Sequence, residues 1–296
     1  MDIIHNRHRN QGIETAILQD IPFPSTNSTQ VKELLSRCPR SAVTPLIKAE
    51  KMAHEQSIRQ VSIKDERQRM GLGSFKALGA AYVIAYRAMI EGERQVGKTY
   101  VTSSAGNHGL SVAAGAKAFG ANSVVYISNT VPEAFATRLM AEGAKVVRAG
   151  QFYEESMEAA KQAAEDNGWV LLSDTSWPGY YKPSYRLMEG YTALMDEASV
   201  QTDTPTHVFL QAGVGGMAGA MVAGIARYLK NVPETLVVEP DSAACVMESI
   251  KTGKIEKIDI KRESLMGGMS CGEVSLVPWE ILKNSVKFCI SLPDND

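Results

Sequence analysis

The chain has 296 residues, with 31 basic and 33 acidic side chains and a formal charge of −2 at pH 7. Nearly cancelled charge without a basic block gives no electrostatic support to binding nucleic acid or an anionic membrane. No apolar run is long enough to span a bilayer, and the first residues lack the apolar core of a secretory signal. Cys38, Cys245, Cys271 and Cys289 are scattered without metal-ligand spacing, so no metal is expected and the thiols read as free in a cytoplasmic protein.

Residues 1–40 are polar, broken by Pro22, Pro24 and Pro39, and read as an irregular arm with one short helix near Val31–Cys38. Thr44-Pro45-Leu46 leads into an amphipathic segment, Ile47–His54, and Val61–Glu66 alternates like a strand. Then comes Met70-Gly71-Leu72-Gly73-Ser74-Phe75-Lys76, followed by a mostly apolar helix through Ala85. Further on, strands and helices alternate. Strands are expected at Thr99–Thr102, Ser123–Ser128, Lys145–Arg148 and Trp169–Ser173, with helices at Leu110–Phe119, Pro132–Glu142 and Phe152–Asn167. A second block opens near Pro183 with a helix over Tyr185–Ala198, a strand at His207–Gln211 and a helix at Ala218–Leu229. Leu236–Glu239 reads as a strand, Ser242–Thr252 and Pro278–Asn284 as helices, and Val286–Leu292 as a last strand. Such alternation argues for parallel sheets built from βαβ units, an α/β fold.

Four segments carry the chemistry. Lys76 stands at the mouth of an apolar helix, where desolvation disfavours the ammonium and a neutral amine can form a Schiff base. Ala212-Gly213-Val214-Gly215-Gly216-Met217 joins a strand to a helix, with glycines that let free amides approach a phosphate; the same turn also serves packing. Ser103-Ser104-Ala105-Gly106-Asn107-His108-Gly109 is a second strand-to-helix corner, able to hold a carboxylate, with Asn107 able to donate to a phenolic oxygen. Asp174, in Asp174-Thr175-Ser176-Trp177, follows a strand, where a carboxylate faces a cleft or simply makes a turn. Together a dry lysine, a phosphate turn and an asparagine loop are the parts that hold pyridoxal 5'-phosphate.

These segments, with Gly179-Tyr180, Val238-Glu239-Pro240-Asp241 and Cys271-Gly272-Glu273, give the chain a resemblance to fold-type II pyridoxal-phosphate enzymes, the tryptophan synthase β-like class, from about Thr44 to Leu292. Within that class it resembles the diaminopropionate ammonia-lyases. The resemblance implies two α/β domains with mainly parallel sheets: a large cofactor-binding domain of residues 1–88 and 187–296, and a small domain of residues 89–186 carrying the asparagine loop. It implies a homodimer acting on a small amino acid in amino-acid catabolism. Lys76 would hold the cofactor and take the α-proton, and Asp174 would face the substrate's β-position. Phe75, Asn107, Gly213, Val214, Gly215, Gly216 and Met217 would bind the cofactor. Ser103, Ser104, Gly106, Asn107 and His108 would grip the substrate carboxylate. The implied reaction is α,β-elimination of ammonia from 2,3-diaminopropionate, giving pyruvate and ammonia.

Two departures are visible. Ala105 stands where the ammonia-lyases carry an aspartate, the base for the D-isomer, so activity is expected to favour the L-isomer. The same loop is similar to that of threonine dehydratases, in which hydroxide leaves instead. The chain also ends where the family continues, so a C-terminally incomplete fold is expected, with an unpaired sheet edge and a tendency to oligomerise or to need a complement. A catalytically impaired scaffold or regulatory subunit is the alternative from another functional class.

Overall fold

The computed structural model describes residues 1–9, 27–92, 95–229 and 231–295. The chain divides into two compact units, one of Ser28–Val170 with Ala193–Thr204, the other of Met1–Asn27, Leu171–Thr192 and Pro205–Asp296. We call them the lysine unit and the glycine-turn unit.

The lysine unit begins with helix α1 (Thr29–Ser36), then strands β2 (Leu46–Lys48) and β3 (Ser62–Lys64), paired antiparallel around helix α2 (Glu50–Glu55). A 3-10 turn over Glu66–Gly71 leads into helix α3 (Lys76–Glu91), whose Ala77, Leu78, Ala80, Val83 and Ile84 are buried. Next come β4 (Thr99–Ser103), α4 (Asn107–Ala118), β5 (Asn122–Ile127), α5 (Glu133–Ala141), β6 (Lys145–Arg148), α6 (Tyr153–Asn167) and β7 (Val170–Leu171). They build a four-stranded sheet in the order β6-β5-β4-β7, with β4, β5 and β6 parallel. Val124, Val125 and Ile127 on β5 are buried, as expected of a strand covered on both faces. Val125 and Ile127 pack with Leu110, Ala113, Ala136 and Leu139 into one apolar cluster, against which Ala105 also lies.

Helix α7 (Lys182–Gln201) carries the chain from one unit to the other. The glycine-turn unit then adds β8 (His207–Gln211), α8 (Gly216–Tyr228), β9 (Glu234–Pro240), α9 (Cys245–Thr252), α10 (Leu276–Ser285) and β10 (Phe288–Leu292). Its sheet runs β1-β10-β9-β8, parallel except for β1 (Asp2–His5), which pairs antiparallel with β10.

The α/β class with parallel sheets is as expected, and most expected elements stand within a few residues of their places. Strand β1 was not expected in the arm. Its four residues have no repeat to reveal them, and its partner lies at the other end of the chain. The remainder of that arm, 10–26, lies outside the described residues. The compact units also divide the chain elsewhere than the sequence suggests. Residues 28–88 group with the asparagine loop because α3 packs along α4, and residues 171–186 group with the glycine turn.

Candidate active site

The candidate residues fall into two sets, one in each unit. In the lysine unit, Lys76 is the first residue of α3 and half-buried, with Phe75 as its N-cap and buried Ala77 and Leu78 behind it. Its backbone carbonyl accepts a 2.7 Å bond from Ser111 Oγ, which ties α3 to the helix that Asn107 opens. Ser103 ends β4, buried, and its hydroxyl has no hydrogen-bond partner among the described residues. Asn107 is exposed and His108 buried in the first turn of α4. Gly109 lets that turn close: a Cβ there would fall on the Ser104 carbonyl oxygen and come within 3.1 Å of Leu139 Cδ2.

Upstream of the lysine lies a buried ionic network that the sequence did not reveal. Arg69, 1% exposed, donates to both Glu66 oxygens (2.7 and 2.8 Å), both Glu197 oxygens (2.8 and 2.7 Å), the Ala42 carbonyl and Thr44 Oγ1 (both 2.9 Å). Lys64 Nζ adds a 2.6 Å bond to Glu197 Oε2. Burial opposes charge on Arg69, but Glu197 and Glu66 outweigh it and hold the guanidinium protonated. Burial likewise opposes the Glu197 carboxylate, and Arg69 with Lys64 outweighs it, leaving its pKa below the usual range. Directly after Arg69, buried Met70 takes the left-handed backbone (φ 52°), a strained choice for that residue that surrounding bonds must enforce.

In the glycine-turn unit, Gly213, Val214 and Gly215 lie between β8 and α8, and Gly216 and Met217 are the first residues of α8. Gly215 is the N-cap of α8 with φ 90°, and a Cβ there would meet Leu282 Cδ1 at 3.0 Å and Pro278 Cβ at 3.2 Å. A Cβ on Gly213 would meet Cys271 Sγ at 2.9 Å and the Gly268 carbonyl oxygen at 3.1 Å. The N-cap of α8, a glycine, has no side chain of its own with which to cap the first turn. By contrast Glu239, fully buried on β9, accepts 2.8 Å bonds from Val246 N and Met247 N at the start of α9. Burial pushes its carboxyl up to about 8. The neighbouring Cys245 thiol, also driven up by burial, donates to the Gly213 carbonyl at 3.5 Å.

Asp174 is half-buried and follows Ser173 at the end of the β7 segment. The loop after it is closed: Trp177 and Tyr180 exchange backbone bonds of 3.2 and 2.9 Å, and their rings stack 4.3 Å apart. The Tyr180 hydroxyl accepts from Ser173 N (2.9 Å) and donates to the Leu171 carbonyl (3.0 Å). Burial, and then the Asp174 charge, drive that phenol well above its ordinary pKa.

In the glycine-turn unit, a helix start where Gly213 and Gly215 admit no Cβ suits a phosphate ester, and in the lysine unit Lys76 is an amine able to hold an aldehyde. Comparison with known proteins agrees. A family model described as pyridoxal-phosphate dependent enzyme matches residues 39–296. The chain is 36% identical over 278 residues to the diaminopropionate ammonia-lyase of Escherichia coli strain K12, covering 85% of this chain and 68% of that one. It is 31% identical over 284 residues to that of Salmonella typhimurium strain LT2, covering 87% and 70%. Against the crystal structure of Diaminopropionate ammonia lyase from Escherichia coli in complex with D-serine, the TM-score is 0.88 at 30% identity, over 99% of this chain and 77% of that one. The match along nearly all its length, with the lysine and glycine segments in their expected elements, means that the chain belongs to the pyridoxal-phosphate dependent enzymes of fold-type II.

Proposed function

We propose that the chain eliminates ammonia from 2,3-diaminopropionate, giving pyruvate and a second ammonia. The observation that carries the reading is the N-terminus of α8, where Gly213 and Gly215 leave no room for a Cβ and allow close approach of an anion. The amides of Gly213, Val214, Gly215, Gly216 and Met217 hold the cofactor's phosphate. Phe75 would lie beside its ring, Asn107 would donate to its ring hydroxyl, and Lys76 would hold it covalently. When bound, pyridoxal phosphate supplies an electron sink for a carbanion at the substrate's α-carbon. Once the substrate's own amine has displaced it, the freed Lys76 Nζ would take the α-proton. Ser103, Ser104, Gly106, Asn107 and His108 hold the substrate carboxylate, the partnerless Ser103 hydroxyl being a ready donor. Asp174 faces the β-amino group and holds a proton for its departure.

Ala105 supports a preference for the L-isomer. It lies against the apolar cluster of the lysine unit and offers no base for the opposite face. It also supports a second reading, loss of hydroxide from serine or threonine. We further place the protein in cytoplasmic amino-acid catabolism, supported by four cysteines that form no disulfide, as a homodimer. Strand β8 is the sheet's edge among the described residues and presents Phe209 at 62% exposure, which supports association.

The test is keto-acid formation by the purified, cofactor-supplied protein from L- and D-diaminopropionate, L-serine and L-threonine. Release from L-diaminopropionate, abolished in Lys76→Ala, is expected. Equal turnover of the two diaminopropionate isomers would overturn the stereochemical reading, faster release from serine would favour the second, and no keto acid from any would sink both.

A further inference from the structure

We propose that Ser275 is a positioning residue that locks the glycine turn to the Asp174 loop, so that an anion bound at the turn orders that loop. The inference rests on the reading of 213–217 as a phosphate site.

Ser275 is fully buried and stands at the N-cap of α10. Its backbone N donates to the Val214 carbonyl at 2.9 Å, in the middle of the glycine turn. Its Oγ accepts from Ser176 N at 2.8 Å and shares a 2.7 Å bond with Ser176 Oγ. Ser176, itself buried, is two residues from Asp174 and 99 residues from Ser275 in sequence. It also caps α10 from that distance: Val277 N donates to its Oγ (2.9 Å) and Leu276 N to its carbonyl (3.2 Å). The same helix presses Pro278 and Leu282 against Gly215. Turn, helix end and acid-bearing loop thus share one set of buried hydrogen bonds, and a shift of the turn cannot leave Ser176 unmoved without breaking them.

The experiment uses the full chain, with inorganic phosphate as the probe. Hydrogen exchange is followed in peptides covering 174–180 and 213–217, with and without phosphate. In the wild type phosphate is expected to slow exchange in both. In Ser275→Ala, slowing is expected at 213–217 and lost at 174–180, and kcat falls about tenfold with little change in cofactor affinity, the scale of one lost buried hydrogen bond. Ser176→Ala, which removes the partner hydroxyl, gives the same pattern, and the double variant adds little to either. Should Ser275→Ala fail to fold, Ser176→Ala decides alone. Loop exchange indifferent to phosphate in the wild type, or still responsive in the variants, overturns the lock. Borohydride trapping of the cofactor on Lys76 is scored separately. Trapping without loop ordering sinks the lock alone, and ordering without trapping sinks the enzymatic reading alone. No phosphate effect at 213–217 sinks the lock with the site it rests on.

Discussion

Replacing Arg69 with methionine keeps most of the volume and removes one buried charge. Six hydrogen bonds go with it, and Glu66 and Glu197, both mostly buried, are left with Lys64 as the nearby cation. Breaking a buried ion pair from one side costs about 3–5 kcal/mol, a large share of the roughly 5–15 kcal/mol that holds a domain folded. Arg67 is the internal control. It sits two residues away with its own carboxylate partner, Asp65, but is 80% exposed against 1% for Arg69. Arg67→Met is therefore expected to lose less than about 1 kcal/mol. Urea unfolding of the three proteins at pH 7 measures the contrast. The pH dependence adds a sign. In the wild type, burial opposes the Glu197 carboxylate but Arg69 and Lys64 hold its pKa below the ordinary 4.5, so its stabilisation is present above that value and lost as pH falls through the folded pKa. Without Arg69 the buried carboxylates gain from protonation instead, so the deficit of Arg69→Met should shrink on acidification. Equal losses at positions 67 and 69, or a deficit that grows towards low pH, would refute the argument.

Gly109→Ala drives a Cβ into the Ser104 carbonyl, so the asparagine loop must shift; a loss of about 3 kcal/mol in thermal unfolding and a raised KM are expected. Gly215→Ala strains a backbone at φ 90° and crowds Leu282 and Pro278, and pyridoxal-phosphate titration should show affinity at least about tenfold weaker. Glu239 is raised by burial from 4.5 to about 8, so between those values the folded chain keeps a proton that the unfolded chain releases, and stability from this group falls as pH rises. The unfolding free energy of wild type relative to Glu239→Gln, from urea titrations, should therefore fall by up to about 1.4 kcal/mol per pH unit across that window, and parallel curves would contradict it. Ala105→Asp should open turnover of D-diaminopropionate, read by keto-acid release, at some expense of the apolar cluster it enters.

What was legible in the sequence was what repeats or what breaks a repeat. The alternation of apolar strands with helices placed β4 to β6 and β8 to β10, because burial on each face is a local property of spacing. The glycine segments were legible because a turn without room for a Cβ admits little else. The polar networks were not. Arg69 sits in an ordinary charged stretch, and its main partner, Glu197, is 128 residues away. Ser176 and Ser275 are two serines among many until the fold sets them 2.7 Å apart. A hydrogen bond across such a separation has no period, so composition cannot announce it. Even β7, expected over five residues, is a two-residue strand, because the Tyr180 hydroxyl engages Ser173 N and the Leu171 carbonyl in its place.

The helix starts of the glycine-turn unit make the case for an anion site better than the glycines do alone. Every helix opens with amides that lack intrahelical partners, and buried ones must be met by something. At α9 that something is Glu239, brought over from β9. At α10 it is Ser176, brought from the Asp174 loop. At α8, buried Gly215 and Met217 flank a start whose N-cap is a glycine with no side chain to offer, and Leu282 and Pro278 would obstruct any added Cβ there. The fold can satisfy such amides with its own groups and does so on α9 and α10. A third start built on Gly213 and Gly215, where a Cβ would clash, is one that a bound phosphate would complete.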